Sequence, residues 1–260
     1  MASFWQDTGL YFSLSLVLLA LLISWREGLQ LEKDLIWATL RGFVQLTLVG
    51  YILLWIFAWE GLEIVYLTLL LMTLMAAWIV RSRAEGIPGI FPIAFFSLAL
   101  SLSLTLGLLV LGGSIEPRPR LLIPLGGMIL GNSMNGASLT LNRLKSEVEL
   151  RKWEVRLYLS LGASSRQSMQ KILQQTLKAS LIPAIDTLKA LGLIFMPGMM
   201  AGMIVAGESP LVAVRYQIIV MFMLLASATL TNLLVALLGY RRFFTPAHQL
   251  REFAMSSRTE

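Results

Sequence analysis

The chain has no cysteine and a single histidine, His248, among its 260 residues. The first absence excludes disulfides, thiolate metal centres and cysteine nucleophiles together. The second excludes a Ser-His catalytic pair and a His-Glu metalloprotease motif within the apolar part of the chain, because His248 lies near its C-terminal end. No Gly-Lys dipeptide occurs, so there is no phosphate-cradling P-loop; if ATP drives this protein, the site lies on another polypeptide. Neither a catalytic residue nor a cofactor bound by this chain is expected. Charge is scarce as well: charged residues make up 14% of the chain, against about 25% in ordinary soluble domains, too few to cover a soluble globule.

Apolar residues are abundant instead, at 57% of the chain with a mean hydropathy of +0.74. Seven stretches approach the roughly 20 residues that cross a bilayer. They run from about Gly9 to Ser24, Leu35 to Ala58, Leu62 to Val80, Ile90 to Leu111, Leu121 to Leu141, Leu188 to Ala206 and Leu211 to Gly239. The alternating pattern of a membrane barrel is absent and lipid tolerates no unpaired backbone, so all seven are expected to be helices of one all-α, polytopic membrane domain covering residues 1–260. No Lys or Arg precedes the first stretch and no small-residue cleavage pattern follows it, so it is expected to remain as a span.

Lys and Arg collect on the cytoplasmic side of membrane proteins. Here they fall after the first span (Arg26, Lys33), after the third (Arg81, Arg83), after the fifth (Arg143 to Lys178) and in the tail (Arg241, Arg242, Arg251, Arg258). The opposite loops hold Asp7, Glu60, Glu63, Glu116, Arg118, Arg120 and Glu208. The N-terminus is therefore expected outside and the C-terminus inside. The net charge of +6 belongs to loops facing cytosol and anionic lipid headgroups, and needs no nucleic-acid partner.

The long polar interval, about residues 143–181, carries its own structural signals. Met169, Ile172, Leu173, Leu177 and Leu181 recur at helical spacing, with Arg166, Gln170, Lys171, Gln174, Gln175 and Lys178 on the other face. Ser164 precedes Gln167 by three residues, the spacing of a capping box that starts this helix. Gly162 can end a preceding helix, from about Leu144 to Leu161, through the left-handed conformation. A helix, a sharp elbow and a second helix in the cytosol are expected, continuous through Pro183 and Asp186 with the sixth span. An amphipathic pair lying on the membrane is the alternative.

Several runs, in this order, resemble one family. They are Leu31-Glu32-Lys33-Asp34 with Arg41 and Gln45; Gly126-Gly127-Met128-Ile129-Leu130-Gly131-Asn132; Leu161-Gly162-Ala163-Ser164; Leu181-Ile182-Pro183-Ala184-Ile185-Asp186; Pro197-Gly198-Met199-Met200-Ala201-Gly202; Ala206-Gly207-Glu208-Ser209-Pro210; and Tyr216-Gln217. Together they resemble the FetB-type family of ABC transporter permeases over nearly the whole chain. That resemblance implies a permease homodimer working with two copies of a cytosolic ABC ATPase, which would hold ATP and Mg, in a bacterial-type inner (plasma) membrane. The family includes a bacterial iron exporter and plant proteins linked to aluminium tolerance, so the implied cargo is a metal ion, iron first. The chain departs from the general acidic-Ala-Ala loop of ABC permeases, since Arg156 stands six residues and Glu154 eight before Gly162. The implied docking element is thus the elbow, Leu161, Gly162, Ala163, Ser164 and Arg166, rather than that loop as such.

Polar and helix-breaking residues within the spans are the pathway candidates, because a charge in a membrane marks a pathway or a pair. Asp186 and Lys189 lie one turn apart and either neutralise each other or leave Asp186 as a transient cation ligand. Pro197, Gly198 and Gly202 predict a kink or break that frees carbonyls, or else a close-packing face. Met196, Met199, Met200 and Met203 read as apolar filler, since thioethers select Cu(I) while iron prefers oxygen and nitrogen. Asn132 and Asn135, with Gly127, Gly131 and Gly136, form a small polar face suited to helix packing or to a pathway wall. Arg41 and Gln45 snorkel or bond a neighbouring helix. Gln217 is a further pathway candidate, and Glu208 joins Asp186 as a candidate metal ligand, because it follows the broken helix directly. The rival readings are export of an organic solute or sugar nucleotide, ion-coupled secondary transport with Asp186 as carrier, and an intramembrane enzyme, which the missing catalytic sets argue against.

Overall fold

A computed structural model describes residues 8–58, 61–192 and 196–251. Asp7, Glu60 and Arg258, used above for orientation, lie outside the described residues. Every named element among the described residues is a helix, and an isolated antiparallel bridge pairs Phe244 with Leu250. The chain divides into two compact units, residues 1–60 and 61–260.

The first unit is a helical pair, α1 (Thr8–Arg26) and α2 (Glu32–Ile56). Arg26 in the last turn of α1, and Glu32 and Asp34 in the first turn of α2, each complement a helix dipole. Ser24 Oγ donates to Glu32 Oε1 at 2.9 Å and ties the pair at its turn. Along α2, Leu40, Leu46, Leu54 and Trp55 are all exposed, so apolar surface extends around the helix as it does in a membrane span.

The second unit comprises α3 (Leu62–Arg83), α4 (Ile90–Leu111), α5 (Pro119–Leu150), α6 (Lys152–Ser160), α7 (Ser165–Ala190), α8 (Gly198–Val205) and α9 (Pro210–Gly239), followed by a 3-10 turn, Tyr240–Phe243. α5 and α9 start with proline, which pre-sets the first helical turn. At about 1.5 Å per residue they are about 48 and 45 Å long, more than the roughly 30 Å of a hydrocarbon core. They pack on each other, and α3, α4, α7 and α8 pack around them. By length and composition α2, α3, α4 and α9 can each cross a membrane.

Helices α1–α5 and α9 occupy six of the seven expected spans. The stretch from Leu188 to Ala206 differs. It is not a continuous span: α7 ends at Ala190, and α8 has 8 residues, about 12 Å, too short to cross. The break falls before Pro197 rather than through Gly198 and Gly202, because Pro197 is the extended N-cap of α8, with φ −64° and ψ 145°. The helix expected from Leu144 to Leu161 differs too. α5 continues unbroken to Leu150, where Glu147 holds Arg151 at 3.2 Å, and the chain bends at Arg151 into the separate nine-residue α6.

In this unit most of the cations gather at one end. Lys145 Nζ donates to the Glu85 carbonyl at 3.0 Å, and the Arg242 guanidinium lies against Gly89. The ends of α3, α5 and α9 are thereby brought together with Arg81, Arg83 and Arg241. Glu63, Glu116 and Glu208 lie at the other helix ends, where Arg118 is paired with Glu116 at 2.8 Å.

Candidate functional site

The elbow joins α6 to α7. Gly162 has φ +86°, and Gly162 N–H donates to the Leu159 carbonyl while Ala163 N–H donates to that of Tyr158. This is the double bond pattern that closes a helix through a left-handed residue. Ser164 then caps α7: its hydroxyl accepts from Gln167 N–H, and Gln167 Oε1 accepts from Ser164 N–H at 2.8 Å. Two local motifs back to back make the corner rigid. Ser164→Ala removes the cap, and the expected cost is about 1 kcal/mol at the start of α7, read as faster amide exchange confined to that turn.

Around the corner, Trp153, Leu157 and Leu161 are 79%, 61% and 75% exposed and follow one another at the spacing of a single helical face. Arg156 stacks on Trp153, its guanidinium carbon 5.6 Å from the ring centroid. Arg166, in the first turn of α7, is exposed. The corner is thus an apolar ridge edged with cations. Its inner side is packed, with Val155, Met169, Ile172 and Leu173 buried.

Asp186 and Lys189 meet at 3.5 Å, both largely exposed. Gly198 and Gly202 are exposed, and a Cβ added at either would meet nothing within 4 Å, so neither serves a close approach within the described chain. Met199 and Met200 are half-buried on α8, Met196 is exposed just before it, and Glu208 is exposed just after its left-handed Gly207. Among the described residues no group of three or more His, Cys, Asp or Glu could hold a metal ion, so Asp186 and Glu208 are not gathered into one.

Asn135 accepts from Arg83 at 2.8 Å, which bonds α5 to the end of α3. Asn132 reaches only the Leu224 carbonyl, at 3.5 Å. Gly131 faces open space, whereas a Cβ on Gly127 would lie 3.0 Å from the Met72 methyl and one on Gly136 2.6 Å from Asn232 Oδ1. Gln217 is buried on α9, and its Oε1 has no hydrogen-bond partner.

Three features escaped the sequence reading. A polar layer lies in the bundle core: Ser97, Ser101, Ser133, Thr231 and Asn232 are each at most 1% exposed, and Thr231 donates to Ser101 Oγ at 2.8 Å. Its signal was in-span Ser and Thr at helical spacing. Arg215, exposed in the second turn of α9, is a cation inside an expected span; a lone arginine in an apolar run was the visible sign. His248 is the third. Its Nδ1 lies 3.0 Å from Ser165 Oγ, which brings the tail to the elbow, and nothing local marks that contact.

Residues 8–244 match a family described as Uncharacterised protein family (UPF0014). The chain is 39% identical over 244 residues, covering 94% of each, to an Escherichia coli (strain K12) protein named probable iron export permease protein FetB. It is 43% identical over 246 residues to the UPF0014 membrane protein YjkA of Bacillus subtilis (strain 168), covering 93% of this chain and 98% of the relative. Protein ALUMINUM SENSITIVE 3 of Arabidopsis thaliana is 36% identical over 245 residues, covering 94% and 90%. No solved structure matches significantly.

Proposed function

Because the chain belongs to the uncharacterised protein family UPF0014, and its Bacillus subtilis relative is a membrane protein of that family, we propose that it is the permease subunit of an ABC-type transporter. It exports a metal ion, iron first, by alternating access driven by a separate ATPase. The iron assignment draws on the name of the Escherichia coli relative. One observation carries the mechanism: an exposed apolar ridge on a rigid corner, at the basic end of the bundle. Solvated alone, the ridge would be unfavourable at about 25 cal/mol per Å² of apolar surface. A docked protein offsets that cost, and a push on the corner passes directly into α7.

In this reading two permease chains form the pathway, with Asn132, Asn135, Asp186, Lys189, Gln217 and the Pro197 to Gly202 segment as its wall or hinge. Asp186 and Glu208 act as carboxylate ligands toward which the partner copy adds others, since one described chain gathers no three such groups. Nucleotide binding shifts the balance between two arrangements of the bundle.

The test is reconstitution of the purified permease with its ATPase in vesicles, with ferrous iron and ATP both supplied on the side of the membrane that carries the ATPase. Iron movement should require both ATP and the ATPase, and Trp153→Glu with Leu157→Glu should reduce it at least tenfold with insertion unchanged. Iron movement by the permease alone would instead indicate ion-coupled transport. A second reading, export of an anionic organic solute, draws on Arg215, a cation within α9 that would repel a bare metal ion. Stimulation of ATP hydrolysis by such a solute and not by iron, abolished in Arg215→Gln, would favour it.

A further inference from the structure

A hydroxyl buried on a helix can donate to a carbonyl of the preceding turn. Ser138 does so to Met134 at 2.8 Å, Thr140 to Gly136 at 2.8 Å and Ser227 to Leu224 at 3.0 Å. Ser97 and Ser133 do not. Their hydroxyl oxygens, and the carbonyl oxygen of the Asn232 side chain, are buried with no hydrogen-bond partner within the described chain. Ser97 and Ser133 are 0% exposed and Asn232 is 1% exposed, so bulk solvent reaches none of them.

The three residues belong to one junction, since α4, α5 and α9 pack on one another pairwise. A Cβ on Gly239 would meet both Leu141, at 3.2 Å, and Ile90, at 3.7 Å, so these three residues mark one level of the three helices. Counted from that level into the bundle, Ser97, Ser133 and Asn232 stand seven, eight and seven residues along, about 10–12 Å at 1.5 Å per residue. They share a depth. Asn232 lies against Gly136, one turn from Ser133 on the same face of α5. Its neighbour Thr231 donates to Ser101, one turn from Ser97 on the same face of α4. Both serines therefore face the part of α9 that carries Asn232.

We propose that the junction of α4, α5 and α9 is a buried water site, in which one water molecule bridges Ser97 Oγ, Ser133 Oγ and Asn232 Oδ1. Buried waters take two to four polar partners, and three unpartnered oxygens at one depth supply them. The bonding balances: the water donates to Asn232 Oδ1 and to one serine oxygen, and accepts from the hydroxyl of the other serine. The donor set favours water over a metal cation. α4 and α9 carry no Asp or Glu, and Glu147 and Glu149 of α5 lie at its far, basic end, so no carboxylate of these helices offsets the desolvation of an ion. Water then joins α9 to both α4 and α5 beside the direct Thr231 to Ser101 bond. The site stands apart from the transport reading, because it needs neither a second copy nor an ATPase.

The test uses the full-length protein purified in detergent, and its first readout is the melting temperature. Ser97→Ala and Ser133→Ala should each lower it by about 2–4 °C, the shift that one lost hydrogen bond produces in a chain of this size. The double variant should lose less than the two shifts together, since the first substitution already releases the shared water. Hydroxyls without a partner would behave in the opposite way, because alanine would then remove a buried unpaired dipole. A melting temperature raised or unchanged in both single variants would overturn the site. The second readout is a high-resolution structure, in which solvent density should lie within hydrogen-bonding distance of at least two of the three oxygens. Direct bonds among the three side chains, with no such density, would overturn it as well. The third compares melting in sodium, potassium and choline chloride at one ionic strength. Equal temperatures are expected; stabilisation by one of the metal cations that Ser133→Ala abolishes would make the occupant an ion and refute water.

Discussion

Gly136→Leu is expected to prevent accumulation of the folded protein in the membrane. An added Cβ alone would lie 2.6 Å from Asn232 Oδ1, 3.1 Å from Nδ2 and 3.3 Å from Cγ. Asn232 is 1% exposed and cannot swing its amide into solvent to make room. Overfilling such a contact costs about 1–3 kcal/mol for a small addition. Gly136→Ala should therefore lower the melting temperature of the solubilised protein measurably, and leucine, with three carbons more, should exceed the margin of a marginally stable bundle. Asn232→Ala removes the obstructing amide. Combined with Gly136→Ala it should recover most of the loss, a coupling of about 0.5–3 kcal/mol for residues in direct contact. A Gly136→Ala protein that melts with the parent would show that α5 and α9 do not meet through this pair.

Gly162→Arg with Ala163→Arg is expected to abolish copurification with the ATPase and to leave insertion intact. The space at Gly162 is open, since no heavy atom lies within 4 Å of an added Cβ. The cost is conformational: φ is +86°, and a side chain in the left-handed region costs about 1–2 kcal/mol per residue. That local penalty falls on an exposed corner and does not reach the packed bundle. Two bulky cations would, however, stand beside the ridge of Trp153, Leu157 and Leu161. Gly162→Asn separates the effects, because asparagine tolerates the left-handed conformation; it should retain complex formation. Full copurification of the double arginine variant would remove the elbow from the interface.

Much of the architecture is legible in local pattern. The capping box at Ser164 and Gln167 and the left-handed Gly162 are motifs of a few adjacent residues, and the structure contains both. Six helices coincide with apolar runs for the same reason, since length and hydropathy are properties of one segment. The misread segments are those where local signals conflict. Residues 188–206 are apolar enough for a span, yet Leu191 already leaves the helix in an extended conformation and Pro197 is the extended N-cap of α8, whereas Pro124 and Pro183 are carried inside helices. In the candidate site, the Asp186–Lys189 pair was legible at one-turn spacing, while the Arg83–Asn135 bond was not.

The sequence by itself determined that this protein is an all-helical membrane bundle with a charged, sharply turned elbow, because hydropathy, charge bias and capping are written along the chain one segment at a time. Only the tertiary structure decided which faces turn inward. Helices such as α4 and α9 are apolar nearly all round, so no stripe announces the buried side. Their orientation is set by rare small and polar residues far apart in sequence: Gly136 against Asn232, Ser101 bonded to Thr231, and His248 returned to Ser165. Of these, the Thr231–Ser101 bond forms because a buried polar group left unpaired costs about 1–3 kcal/mol. That penalty selects among packings which the apolar surface alone leaves nearly equal.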